Sequence, residues 1–170
     1  PSDVNAHPHI SRNGRIAIVH NGIIENYLEL REMLTKEGYE MQSQTDTEVV
    51  AHLFEHHFKG DMMQALMDTV KDLRGSYALG ILSADNPGEI YCTKRDNPLI
   101  IGVGEGENLI ASDIPAIIQK TKHYIVLEDN QIARITPDSV EVFNAFGQKL
   151  EPEVQTVNWD ISSAEKGGYE

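Results

Sequence analysis

The sequence contains one cysteine, Cys92, among its 170 residues. No intrachain disulfide can form, so stability must come from a packed core, and a reducing, cytoplasmic setting is expected. Long apolar runs are missing too. Stretches such as Pro98 to Val103 are far too short to span a bilayer, and no charged-then-apolar leader opens the chain, so no membrane partner is expected. Basic side chains are scarce, 14 Lys and Arg against 27 Asp and Glu, for a formal net charge of −13. Such a surface repels a strand of phosphates and argues against a nucleic-acid partner. An initiating methionine is also lacking. The opening Pro1-Ser2-Asp3-Val4-Asn5 reads like the middle of a loop, and sequence upstream of it is expected.

What is present describes one ordinary globular domain, with 40% hydrophobic and 24% charged residues and no internal repeat. Ile16 to Val19 form a continuous apolar run, which predicts a strand over Arg15 to His20, covered on both faces and stopped by Asn21-Gly22. Tyr27, Leu30 and Leu34 recur at helical spacing within a helix predicted over Glu25 to Lys36, with Gly38 beyond it. Thr45-Asp46-Thr47-Glu48 has capping-box spacing and starts a second helix, with Val49, Val50, Leu53, Phe54 and Phe58 on its buried face. Gly60-Asp61 breaks and recaps, and Met63, Leu66, Met67, Val70 and Leu73 mark a third helix. After Gly75 the character changes. Short strands are predicted at Tyr77 to Leu82, Ile90 to Lys94, Leu99 to Val103, Leu109 to Ala111, Tyr124 to Leu127, Gln131 to Ile135 and Val140 to Phe143, with a short helix over Ile114 to Lys120. Helices grouped first and strands later favour a layered α+β domain over βαβ units. The polar tail Ser162 to Glu170 reads as the approach to another domain.

His20-Asn21-Gly22 is the first candidate for chemistry. An amide hydrolase needs fixed donors aimed at a developing oxyanion. An Asn side-chain amide beside a Gly backbone N–H supplies two of them. The plain alternative is a turn, but a tight hairpin should lead into another strand. Here Ile23-Ile24-Glu25-Asn26 runs into a helix. Asp46 has two readings, a favourable charge in the first helical turn or a carboxylate that holds a substrate ammonium. The residue types alone leave both open.

Other groups point away from chemistry. His7-Pro8-His9 offers two imidazoles without an obvious third ligand, so no metal is expected there. His52 and His56 have metalloprotease spacing, but Leu53 replaces the required glutamate, and a solvated helix face is expected instead. Gly102-Val103-Gly104-Glu105-Gly106 lacks a following helix signal and a lysine, and is read as a turn between strands. Cys92 lies in Ile90-Tyr91-Cys92-Thr93, a core position, and is read as structural.

Taken in order, Asn5-Ala6-His7-Pro8-His9, Val19-His20-Asn21-Gly22-Ile23-Ile24-Glu25-Asn26 and Thr45-Asp46-Thr47-Glu48-Val49-Val50 resemble the glutamine amidotransferases with an N-terminal cysteine nucleophile. Leu73-Arg74-Gly75-Ser76-Tyr77-Ala78, Asn97-Pro98-Leu99, Ala111-Ser112-Asp113 and Glu165-Lys166-Gly167-Gly168-Tyr169 narrow the likeness to the glucosamine-6-phosphate synthase family. The resemblance runs over essentially the whole chain. It implies an Ntn-hydrolase fold, a four-layer αββα sandwich, here a partial type 2 glutamine amidotransferase domain over residues 1–170. It further implies hydrolysis of glutamine to glutamate without cofactor or metal. The ammonia would pass to a downstream sugar isomerase domain that binds fructose 6-phosphate, in a parent enzyme that is a homo-oligomer.

By position, Asn21 and Gly22 would be the oxyanion donors, Asp46 would bind the α-ammonium of glutamine, and His7 would help shape the glutamine pocket. The nucleophile implied is a cysteine at the start of the mature protein, and position 1 here is Pro1. The 170 residues are therefore expected to be inactive alone, and to show apolar surface that leaves them marginally stable or self-associating. Two alternatives stay open: a non-catalytic amino-acid-binding or docking module of the same fold, and a purine-pathway glutamine amidotransferase.

Overall fold

The computed structural model describes residues 8–158. His7, the Asn5 to His7 part of the first motif and the Glu165 to Tyr169 motif lie outside the described residues. In chain order the elements are β1 (His9–Ile10), β2 (Ile16–Ile24), α1 (Tyr27–Lys36), α2 (Asp46–His57), α3 (Met62–Asp72), β3 (Gly75–Ser83), β4 (Ile90–Arg95), β5 (Ile100–Val103), β6 (Asn108–Ala111), β7 (His123–Val126), β8 (Ile132–Ile135), β9 (Val140–Phe143), β10 (Lys149–Leu150) and β11 (Gln155–Thr156). A 3₁₀ turn at Ile114–Ala116 stands where a helix to Lys120 was expected; Pro115 fixes its start, and Asp113 caps it by accepting the Ala116 N–H.

The strands form two antiparallel sheets, one ordered β1-β2-β3-β4-β8-β9-β10 and one ordered β11-β7-β5-β6. The three helices cover one face of the larger sheet. Their core joins Leu34, Val50, Leu53, Phe54 and Leu66 to the strand residues Ile16, Ile18, Leu79 and Ile81. A second core, with Ala78, Cys92, Ile101, Ile125, Ala133 and Val142, fills the space between the sheets. Alternation in β4 makes the division plain: Tyr91 packs toward the helices and Cys92 toward the smaller sheet. At Gly80 an added Cβ would lie 3.0 Å from Ile110 Cδ1, so the sheets approach closely there. This is the expected α+β sandwich, seen as helices on sheet on sheet; among the described residues no α-helix forms the second helical layer of the expected αββα arrangement.

Three expectations need correction. Asn21-Gly22 does not end the first strand. β2 runs on to Ile24, paired with β3 from Ile16↔Ser83 to Ile24↔Gly75. Gly22 adopts φ +109° there, and the ladder continues through it in unbroken register. Nor is β2 covered on both faces. Ile16 and Ile18 are buried under the helices, whereas Val19 and Ile23 on the opposite face are 37% and 68% exposed.

Finally, α2 does not show a solvated histidine face. Wedged among α1, α3, β1 and β2, it buries every residue from Thr47 to Phe54, including His52. His56 is exposed and His57 pairs with Asp72 at 2.7 Å. Among the described residues no helix is long and apolar enough to cross a membrane.

Candidate functional site

The site is assembled where the end of β2 meets the start of α2. Thr45, extended at φ −84°, caps α2 by accepting the Glu48 N–H. The capping box is not reciprocal, however. The Glu48 carboxylate reaches past the cap to accept the backbone N–H groups of Gln42 and Ser43, and the Thr45 N–H goes to Ser43 Oγ at 3.3 Å. Burial alone would raise the pKa of Glu48, but the hydrogen bonds from Ser43 and Gln42 more than offset it and hold the carboxyl below its ordinary range. The segment before α2 is thereby fastened to the helix's first turn.

That first turn presents Asp46 to β2. Its Oδ2 accepts the Ile24 N–H at 2.9 Å, three residues along the strand from Asn21. The structure therefore ties Asp46 to Ile24 of the strand that carries Asn21 and Gly22. His20 adds a second tie. Its imidazole is 2% exposed, with Nδ1 2.9 Å from Thr47 Oγ1 and 3.8 Å from Asp46 Oδ1. His9, in the edge strand, places Nε2 2.9 Å from the capping Thr45 Oγ1. The sequence marks His20 only as part of the His20-Asn21-Gly22 element and His9 only as one of two imidazoles, with no site role for either. The available signal was parity: His20 falls on the same side of β2 as Ile16 and Ile18 and must point at the helix layer.

Asn26 is another residue whose role emerges only in three dimensions. Its side chain does not cap α1. Instead it donates to Asp72 O at 2.7 Å and accepts the Arg74 N–H at 3.0 Å. Glu25 N–H bonds Arg74 O in the same place, so residues 25 and 26 belong to this clasp and α1 starts at Tyr27.

Asn21 is exposed, and among the described residues its side-chain amide has no hydrogen-bond partner. It lines a cleft of about 310 Å³ between the sheets, whose other walls include Val19, Ala78, Leu99, Ile110 and Ser112. At Gly22 an added Cβ would lie 2.1 Å from Ser76 O, so glycine is obligatory there. Cys92, by contrast, is fully buried between the sheets, and loss of solvation pushes its thiol pKa up to about 12. It cannot act as a nucleophile. No group of three or more metal-ligating side chains converges among the described residues.

Comparison with known proteins decides the family. The model of the glutamine amidotransferase domain matches residues 2–119. The chain belongs to the glutamine amidotransferase domain family. Its amidotransferase relatives include the glutamine–fructose-6-phosphate aminotransferase (isomerizing) of Caldanaerobacter subterraneus subsp. tengcongensis, 53% identical over 170 residues, which are 100% of this chain and 28% of that protein. The enzyme of the same name from Aquifex aeolicus is 51% identical over 169 residues, 99% of this chain and 28% of that protein. This amidotransferase chain thus spans about 28% of the length of the curated relatives it matches. Among solved structures it is similar to the glutamine phosphoribosylpyrophosphate amidotransferase of B. subtilis, with TM-score 0.72 and 25% identity, over 85% of this chain and 32% of that one. The α+β sandwich is therefore the Ntn-hydrolase amidotransferase fold.

Proposed function

We propose that these residues form the glutamine-handling part of a longer cytoplasmic aminotransferase that moves ammonia from glutamine to fructose 6-phosphate, yielding glucosamine 6-phosphate. One observation carries the glutamine reading: the Asp46 carboxylate is docked on Ile24, in the strand end that bears Asn21 and Gly22. Identity of 51–53% to glutamine–fructose-6-phosphate aminotransferases supports fructose 6-phosphate as acceptor, bound by a sugar isomerase domain elsewhere in a homo-oligomeric parent. The purine-pathway alternative draws on 25% identity to two solved structures, the phosphoribosylpyrophosphate enzyme and an allosteric regulatory enzyme of purine biosynthesis.

In this reading the Asp46 carboxylate holds the α-ammonium of glutamine by a charge-assisted hydrogen bond, and His7 helps shape the pocket. The side-chain carboxamide then points back along β2 toward Asn21 and Gly22. A thiol other than Cys92, supplied from outside these 170 residues, bonds to the carboxamide carbon as the C=O electron pair moves onto oxygen. The Asn21 amide and the Gly22 N–H stabilise that oxyanion. Its collapse breaks the C–N bond, ammonia leaves with the thiol's proton, and water then releases glutamate from the thioester.

The test uses the full-length protein. Glutamate release from glutamine and glucosamine 6-phosphate formation with fructose 6-phosphate are measured for wild type, Asn21→Ala and Asp46→Ala. Loss of one oxyanion donor is expected to lower kcat by about 10²–10³-fold in Asn21→Ala. Unchanged glutamate release in both variants refutes the site. Glutamate release without glucosamine 6-phosphate refutes the acceptor alone.

A further inference from the structure

The turn that follows β4 brings a side chain against Gly22. Among the described residues, Asp96 is one of two non-glycine residues with positive φ, at +66° or just below: Asp96 at +65° and Asn130 at +66°. Both belong to one fastened unit. Asp96 N–H donates to Asp129 Oδ1 at 2.9 Å, and Lys94 Nζ pairs with the same carboxylate. Asn130 N–H returns to Lys94 O, and its side chain accepts from Arg95 Nε at 3.1 Å. Arg95 also donates to Leu73 O at 3.2 Å, and Asp96 bridges to Tyr77 of β3. So many ties on five residues fix a left-handed turn that is unfavourable on its own.

The consequence is the position of Asn97. Left-handed Asp96 turns the chain back, so that Asn97 Nδ2 lies 2.6 Å from where a Cβ on Gly22 would stand. The amide is laid directly on the bare backbone of Gly22. Asn97 is partly buried, and among the described residues its side chain has no hydrogen-bond partner. Leu99, two residues on, lines the cleft that Asn21 faces. A strained, heavily tied turn that delivers an unpaired amide to one glycine is the arrangement of a preorganised donor rather than of a surface loop.

We propose that Asn97 is a third amide donor of this site, contacting the carboxamide oxygen of glutamine beside Gly22. The proposal rests on the glutamine-hydrolysis reading above and extends it to a residue in the turn between β4 and β5. No new bond-making step is added: the Asn97 N–H donates to the oxygen that already takes up the C=O electron pair.

The full-length protein is assayed for glutamate release as wild type, Asn97→Asp, Asn97→Ala and Asn21→Ala, each with a thermal melt. Asn97→Asp keeps the shape but removes the donor and adds charge. It is expected to lower kcat by about tenfold or more with KM for glutamine changed by less than about threefold, and Asn97→Ala to lower kcat by about tenfold. Melting temperatures are expected to hold, because among the described residues the side chain has no hydrogen-bond partner. Wild-type kcat in Asn97→Asp, alongside a collapse in Asn21→Ala, would overturn the role of Asn97 and leave the function intact. Loss of folding in both Asn97 variants would overturn it as well, since it would make the side chain structural. A wild-type protein that releases no glutamate would remove the underlying reading and this proposal with it.

Discussion

The Asp46 carboxylate accepts the Ile24 backbone N–H at 2.9 Å, locking the first turn of α2 onto the last residue of β2. One oxygen is engaged in this bond and the other faces His20 Nδ1 at 3.8 Å. Substitution by asparagine retains an acceptor for Ile24 but removes the charge. For Asp46→Asn in the full-length protein, the KM for glutamine is expected to rise about 10–100-fold, the worth of a hydrogen bond to a charged group. Steady-state glutamate release checks this, and an unchanged KM would assign Asp46 to fastening α2 on β2 alone.

Gly22 and Gly14 both adopt positive φ, +109° and +75°, yet their surroundings differ. Nothing lies within 4 Å of a Cβ at Gly14, whereas at Gly22 it would meet Ser76 O at 2.1 Å. Gly14→Ala should therefore cost about 1 kcal/mol, from backbone strain only. Gly22→Ala adds a clash with the β3 backbone and should cost about 3 kcal/mol, enough to open the β2–β3 ladder. Parallel denaturation curves measure both, and the reverse ranking would contradict the geometry.

Local chemistry made some of this legible. The Thr45 cap, the Asp61 cap that accepts the Gln64 N–H, and the change from helices to strands after Gly75 all follow from short-range rules. What stayed hidden is non-local. Asn-Gly is a turn signal by itself, and only the ladder from Ile16↔Ser83 to Ile24↔Gly75 carries β2 through it. The strands β1, β10 and β11 have two residues each, too few to show a period of two. His52 reads as polar surface until α2 is seen enclosed by other elements. Of the candidate site, the strand-end and helix-start motifs could be read in sequence. The ties through His20, Asn26 and Asn97 could not, because each depends on a residue 27 to 75 positions away.

Cys92 is sealed between the sheets with its thiol pKa pushed up to about 12, burial being the cause and a hydrogen bond from the Ala133 backbone a smaller opposing effect. Iodoacetamide at neutral pH should leave it unmodified in the folded protein and alkylate it after denaturation. Cys92→Ala should lower stability by about 1 kcal/mol through the small cavity it leaves. Glutamine turnover by the full-length protein should be unaffected, and the 170-residue chain alone should show none. Turnover by the short chain that disappears in Cys92→Ala would reverse the assignment.

Acid should loosen the α2 end of the site in two stages. The His52 pKa is lowered by burial, only partly offset by Glu48 at 3.5 Å and by Glu55, with Arg12 adding to the depression beside Tyr39. The unfolded chain therefore takes up a proton on this histidine at a higher pH than the folded one. Its contribution to stability is complete above about pH 6.5 and is lost as pH falls from there toward the folded pKa. Glu48 has a folded pKa below its ordinary 4.5, so its contribution is present above that value and lost as pH falls through the folded pKa. Melting temperatures between pH 7 and pH 3 should fall first through the histidine range and then through the carboxylate range. His52→Gln should flatten the first decline and keep the second, because glutamine does not titrate and Glu48 still holds Gln42 and Ser43. Parallel curves for wild type and variant from pH 7 to 5 would show that protonation of His52 is not what weakens the fold.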